Sequence, residues 1–122
     1  MIGYVTLGTN DPARAKRLYD VLLGTLGAKR VMEFGDFVAW GTGPGAPMLA
    51  ITPPYDKQPA SVGNGVMVAL QAGSKAQVDA LYKKALELGA KDEGPAGPRG
   101  DGFYAGYFRD LDGNKLNAFF IG

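Results

Sequence analysis

The chain has 122 residues, 46% of them hydrophobic, enough to bury one core and too few for two independent domains. Thirteen basic against twelve acidic side chains give a formal charge of +1, which excludes the basic footprint of a nucleic-acid binder and a polybasic membrane anchor. Cysteine and histidine are both absent, so disulfides, zinc-thiolate sites, thiolate nucleophiles and every Ser-His or Cys-His arrangement are excluded.

The opening Met1-Ile2-Gly3-Tyr4-Val5 reads as the start of a strand and has neither the basic start nor the long apolar run of a signal peptide. No apolar run nears the ~20 residues that cross a bilayer, so a soluble cytoplasmic protein is expected. A first helix begins near Asn10-Asp11-Pro12, where Asn10 or Asp11 caps free amides and Pro12 suits an early helical position. Its apolar face is Ala15, Leu18, Tyr19, Leu22 and Leu26, and Gly27 ends it in the left-handed conformation. The basic residues Arg14, Lys16 and Arg17 lie on its solvated side.

Three shorter strands are predicted next, at 29–34, 36–42 and 48–52, with a loop over Gly43 to Pro47. Which face of the middle strand points inward is open, so Phe37 and Trp40 suit core packing and ligand stacking equally. Pro53 to Gly63 reads as a linker.

The second half repeats the first. Leu18-Tyr19 through Leu26-Gly27-Ala28-Lys29 overlays Leu81-Tyr82 through Leu88-Gly89-Ala90-Lys91, an offset of 63 residues from Leu18 to Leu81. The same offset lays Tyr4-Val5-Thr6-Leu7 over Met67-Val68-Ala69-Leu70. The second helix starts at Ser74, with Gln77 completing a capping box, and buries Val78, Leu81, Tyr82, Ala85 and Leu88. Strands follow at about 90–93, 102–109 and 115–121, with Glu93 to Gly102 as a mobile loop that lacks a phosphate-binding pattern. Asp110 to Asn114 marks the turn of a terminal hairpin. The fold class is therefore α+β: two βαβββ modules, about 1–55 and about 64–122, in a single domain over 1–122.

Strand alternation sets Ile2, Tyr4 and Thr6 on one face of the first strand, with Gly65, Met67, Ala69 and Gln71 on the matching face of its repeat. In the hairpin Asn117 and Phe119 share that face. A turn centred on Asp112-Gly113 would set Phe108, Gly106 and Tyr104 opposite them. Arg109 precedes the turn, where a structural role and the bidentate holding of an anion are both open.

This duplication, with Tyr107-Phe108-Arg109-Asp110-Leu111-Asp112-Gly113-Asn114-Lys115-Leu116, resembles the vicinal oxygen chelate superfamily, which includes glyoxalase I, bleomycin-resistance proteins and extradiol dioxygenases. The resemblance implies a curved mixed sheet enclosing a cleft, helices outside, and a homodimer. It also implies metal ligands at Tyr4, Ala50, Met67 and Asn117, where metal-using relatives carry histidine, glutamine or glutamate. A phenol, a methyl, a thioether and an amide are not the imidazoles and carboxylates a divalent ion needs, so no metal and no other cofactor is expected. The implied cleft is lined by Tyr4, Thr6, Ala50, Met67, Gln71, Tyr104 and Asn117. Polar groups in an apolar cavity suit a small organic ligand. The alternative is a lyase, isomerase or dioxygenase of lactoylglutathione-lyase type, using a metal bound elsewhere or Tyr4 or Tyr104 as acid/base, although a phenol with an ordinary pKa of ~10 is a poor base at neutral pH.

Overall fold

A computed structural model describes residues 1–122, which divide into two compact units, Met1–Val62 and Gly63–Gly122. In the first unit the order is β1 (Tyr4–Gly8), α1 (Pro12–Gly24), β2 (Lys29–Phe34), β3 (Phe37–Gly41) and β4 (Met48–Thr52). The second unit follows with β5 (Val68–Gln71), α2 (Lys75–Glu87), β6 (Lys91–Pro98), β7 (Phe103–Arg109) and β8 (Lys115–Ile121). Each unit is βαβββ, as the repeat predicts. Each forms a four-stranded mixed sheet, ordered β1-β4-β3-β2 in one and β5-β8-β7-β6 in the other, with the first strand parallel to the last.

The helix ends obey the same chemistry twice. Asp11 accepts a hydrogen bond from the Arg14 amide at 3.1 Å, and Ser74 accepts one from the Gln77 amide at the same distance. At the C-termini the Ala28 amide reaches the Leu23 carbonyl and the Ala90 amide reaches the Ala85 carbonyl, closing over Gly27 and Gly89 at φ 79° and 101°. The first helix stops at Gly24 with Thr25 as its cap, so Leu26 lies beyond it and Leu23 completes the buried face.

Each sheet has one face under its helix and one face free of it. In the first unit Leu7, Val38, Trp40, Leu49 and Ile51 lie under α1 and are buried. Trp40 settles the face that the sequence leaves open: its ring lies 5.8 Å from Tyr19, and its indole N–H donates to Asp20 at 2.9 Å. Asp20 also takes both arms of the Arg30 guanidinium at 2.8 Å, which holds its carboxyl below the ordinary range. In the second unit Val78, Leu81, Ala85, Phe108, Leu116 and Ala118 are fully buried. Fully burying each large side chain contributes about 1.5–3 kcal/mol.

One loop differs from expectation. Residues 94–98 belong to strand β6, which pairs with β7 through register shifts at Asp92/Gly94 and Gly94/Gly97, and are not a free loop. Pro95 and Pro98 are tolerated because β6 is an edge strand broken by bulges, where missing N–H donors leave few ladder bonds unmade. The segment after β4 is fastened to the first unit. The Asn10 carboxamide donates to the Ala60 carbonyl at 3.1 Å and accepts from the Ala60 amide at 2.7 Å.

Candidate functional site

The helix-free face of the first sheet carries Tyr4 and Thr6 from β1, Phe37, Ala39 and Gly41 from β3, and Met48 and Ala50 from β4. Thr6 is the register partner of Ala50, and Ala50 of Ala39. Ala39 and Ala50 are buried, whereas Tyr4 is 55% exposed. Tyr4 meets Phe37 edge to face with centroids 6.3 Å apart, and Phe37 lies 6.3 Å from Phe34 across a two-residue hairpin. This face is apolar and aromatic, with the Tyr4 and Thr6 hydroxyls at one edge.

On the second sheet the helix-free face carries Ala69 and Gln71 from β5, Lys115, Asn117 and Phe119 from β8, and Phe103, Ala105, Tyr107 and Arg109 from β7. Ala69 partners Asn117, as Thr6 partners Ala50 in the other unit. Met67 lies just before β5 and is 40% exposed, and Gln71 is exposed. Asn117 is 2% exposed, and its Oδ1 has no hydrogen-bond partner within the chain. An orphaned buried acceptor costs ~1–3 kcal/mol, so such groups are rare and mark a place where a donor arrives from outside or water is held.

Aromatic residues neighbour Asn117 on this face. Tyr107 is the register partner of Asn117, with the Lys115 ammonium and the Arg99 guanidinium each 5.6 Å from its ring centre. Phe119 stacks on Phe103 at 5.7 Å. Arg109 pairs with Glu93 and donates to the Gly113 carbonyl at 3.0 Å, so it braces the hairpin. That ion pair keeps the Glu93 carboxyl below its ordinary range.

The predicted residues do not all share these faces. Tyr104 lies on the helix side of β7, where its hydroxyl donates to Asp79 of α2 at 2.6 Å and the Lys75 ammonium stands 5.8 Å from its ring. The hydrogen bond to Asp79 pushes its phenol above the ordinary value. Phe108 and Gly106 lie on the helix side too, and a Cβ on Gly106 would meet the Tyr82 ring of α2 at 3.0 Å. The error is one residue of register, which turns every side chain to the other face. Arg109 pairs with Lys115, so the loop is Asp110 to Asn114 as expected, but it is centred on Asp112 and not on Asp112-Gly113.

Asp110 and Asn114 fix the ends of that loop. The Asp110 carboxylate accepts from the amides of Asp112 and Asn114 at 3.0 and 2.8 Å and from the Asn114 side chain at 3.0 Å. Sequence reasoning therefore missed Tyr107, and with it the ring cluster around Asn117.

A divalent ion does not fit the four positions where metal-using relatives place ligands. Ala50 offers no donor, Met67 a soft thioether, and Tyr4 and Asn117 neutral oxygens. No group of three or more acidic side chains that could hold a metal occurs anywhere in the structure.

A separate cavity of about 390 Å³ lies in the first unit, lined by Thr9, Asn10, Pro12, Pro53, Pro54, Lys57, Gln58 and Pro59. It contains none of the expected residues.

The family model described as Glyoxalase/Bleomycin resistance protein/Dioxygenase superfamily matches residues 1–118. A glyoxalase/bleomycin resistance protein from Albidiferax ferrireducens is 38% identical with a TM-score of 0.90, covering 98% of this chain and 97% of its own. A lactoylglutathione lyase from Agrobacterium tumefaciens is 23% identical with a TM-score of 0.69, covering 98% and 92%. A hypothetical protein from S. aureus is 22% identical with a TM-score of 0.74, covering 98% and 92%. These last two share the fold. No curated protein matches the chain significantly.

Proposed function

This chain belongs to the Glyoxalase/Bleomycin resistance protein/Dioxygenase superfamily, and we propose that it binds a small organic molecule on the helix-free face around Asn117 without a metal ion. The observation that carries this reading is the buried Asn117 Oδ1 with no partner, set among the rings of Tyr107 and Phe119. Apolar surface with one unmet polar group is the chemistry that orients a small ligand. The resemblance implies that metal-using relatives place a carboxylate at this position. A neutral amide there supplies a hydrogen bond in place of a coordination bond.

No observation favours the lyase, isomerase or dioxygenase reading. Tyr104 is bound to Asp79 with its phenol pushed up, which makes it a still poorer acid or base at neutral pH. Self-association as a homodimer is part of the proposal. The edge strands β1 and β5 lie beside the exposed apolar residues Ile2, Tyr4, Val66 and Met67, and unpaired edges invite a partner.

The test is a thermal-shift screen of small organic molecules with a chelator present, followed by side-chain amide NMR of the compounds that stabilise the protein. Stabilising compounds that shift the Asn117 amide support the reading. Compounds that stabilise only after a divalent ion is added would overturn its metal-free part.

A further inference from the structure

Lys91, Arg109 and Lys115 all act on the carboxylate of Glu93, which is paired with Arg109. Of the other carboxylates at that end of the sheet, Asp110 is taken up by the hairpin amides, Asp92 accepts from the Tyr82 hydroxyl and the Gly94 amide, and Asp112 lies in the hairpin turn. The Arg99 guanidinium donates to the carbonyls of Pro95 and Pro98 and rests beside the Tyr107 ring. Lys115 makes no ion pair, and its ammonium also lies beside Tyr107. The face therefore runs from a cationic end at Lys115, past Tyr107 and Asn117, to an apolar end at Phe119, Phe103 and Ala105.

We propose that this face takes a planar aromatic anion bearing a hydrogen-bond donor. Its negative group sits at Lys115, its ring beside Tyr107 and Phe119, and its donor at Asn117 Oδ1. Each part of that ligand answers a separate feature: unpaired positive charge, stacked rings, and an acceptor without a donor. Lys115 and Asn117 are two residues apart on one strand face, a backbone span of ~6.7 Å. Asn117 is nearly inaccessible, so a ligand reaching it must displace the half-buried rings beside it. The proposal rests on the reading that this face binds a small molecule, and adds the ligand's charge and donor.

The probe is 4-hydroxybenzoate, titrated into the full isotope-labelled chain and compared with 4-hydroxybenzamide, which is neutral, and benzoate, which lacks the donor. The expected result is that 4-hydroxybenzoate moves the Asn117 side-chain amide and the Tyr107 and Phe119 ring signals. It should bind about threefold or more tightly than either comparator, with a preference over the amide that shrinks as salt rises. Lys115→Gln should abolish the preference for the acid over the amide. Equal binding of acid and amide, or a preference that survives Lys115→Gln, would overturn the anion class yet leave a small-molecule face intact. If neither these probes nor any neutral compound moves Asn117, its oxygen is serviced by water and both readings fall.

Discussion

Asn117→Leu separates a residue kept for binding from one kept for folding. Its Oδ1 is buried without a partner, and an orphaned acceptor costs the folded state ~1–3 kcal/mol. Leucine has a similar volume and removes that cost. Its neighbours on the face, Ala69 and Tyr107 across the strands and Phe119 along β8, present apolar surface to it. The variant should therefore be as stable as the parent or more stable, by up to about 3 kcal/mol. In a chain of this size each kcal/mol moves Tm by about 3–5 °C. Urea unfolding monitored by Trp40 fluorescence measures the change, and the same sample should no longer bind compounds that shift Asn117 in the parent. A gain in stability coupled to a loss of binding is the expected trade at a functional position. Destabilisation by about 1 kcal/mol or more would refute the reasoning, because it would mean that the oxygen already holds a partner.

Leu18→Ala and Leu81→Ala, on the buried faces of α1 and α2, should each cost about 2–5 kcal/mol through lost burial and a cavity, measured by urea unfolding. Tyr104→Phe should leave ligand affinity unchanged, since its hydroxyl serves Asp79 on the helix side; a loss of affinity in calorimetric titration would restore Tyr104 to the site. Asp20, whose pKa is lowered chiefly by Arg30, contributes stability that is present above its unfolded pKa of ~3.9 and is lost as pH falls through its lower folded value. Asp20→Asn should accordingly flatten the acid limb of the stability profile, by a modest amount because the pair is partly exposed. Light scattering should give a particle near twice 12.8 kDa, and a 12.8 kDa particle at working concentrations would count against the homodimer.

Much of the architecture was legible because the signals were local and occurred twice. Asp11 and Ser74 cap, Gly27 and Gly89 terminate, and the apolar spacing between them admits one helix in each half. Trp40 was not placed, because four successive residues of β3, Val38 to Gly41, are buried on both faces and leave no alternation to read. β6 was missed because its prolines and glycines read as a loop, and only pairing with β7 makes a bulged edge strand of them. In the candidate site, Tyr4, Thr6 and Asn117 lie on helix-free faces as strand alternation predicts, and Ala50, which only the resemblance singles out, partners Thr6 there. Tyr104 does not, because alternation is only as good as the turn that sets its register. The orphaned Asn117 oxygen was beyond sequence reasoning, since a missing partner is a property of packing.

The most direct measurement is the side-chain amide NMR signal of Asn117 in metal-stripped protein as a stabilising small molecule is added. The account predicts that this signal moves in step with binding while chelator is present, and that a divalent ion neither moves it nor tightens the ligand. A signal that responds only once the ion is supplied, or one that stays fixed while the ligand binds, would contradict it.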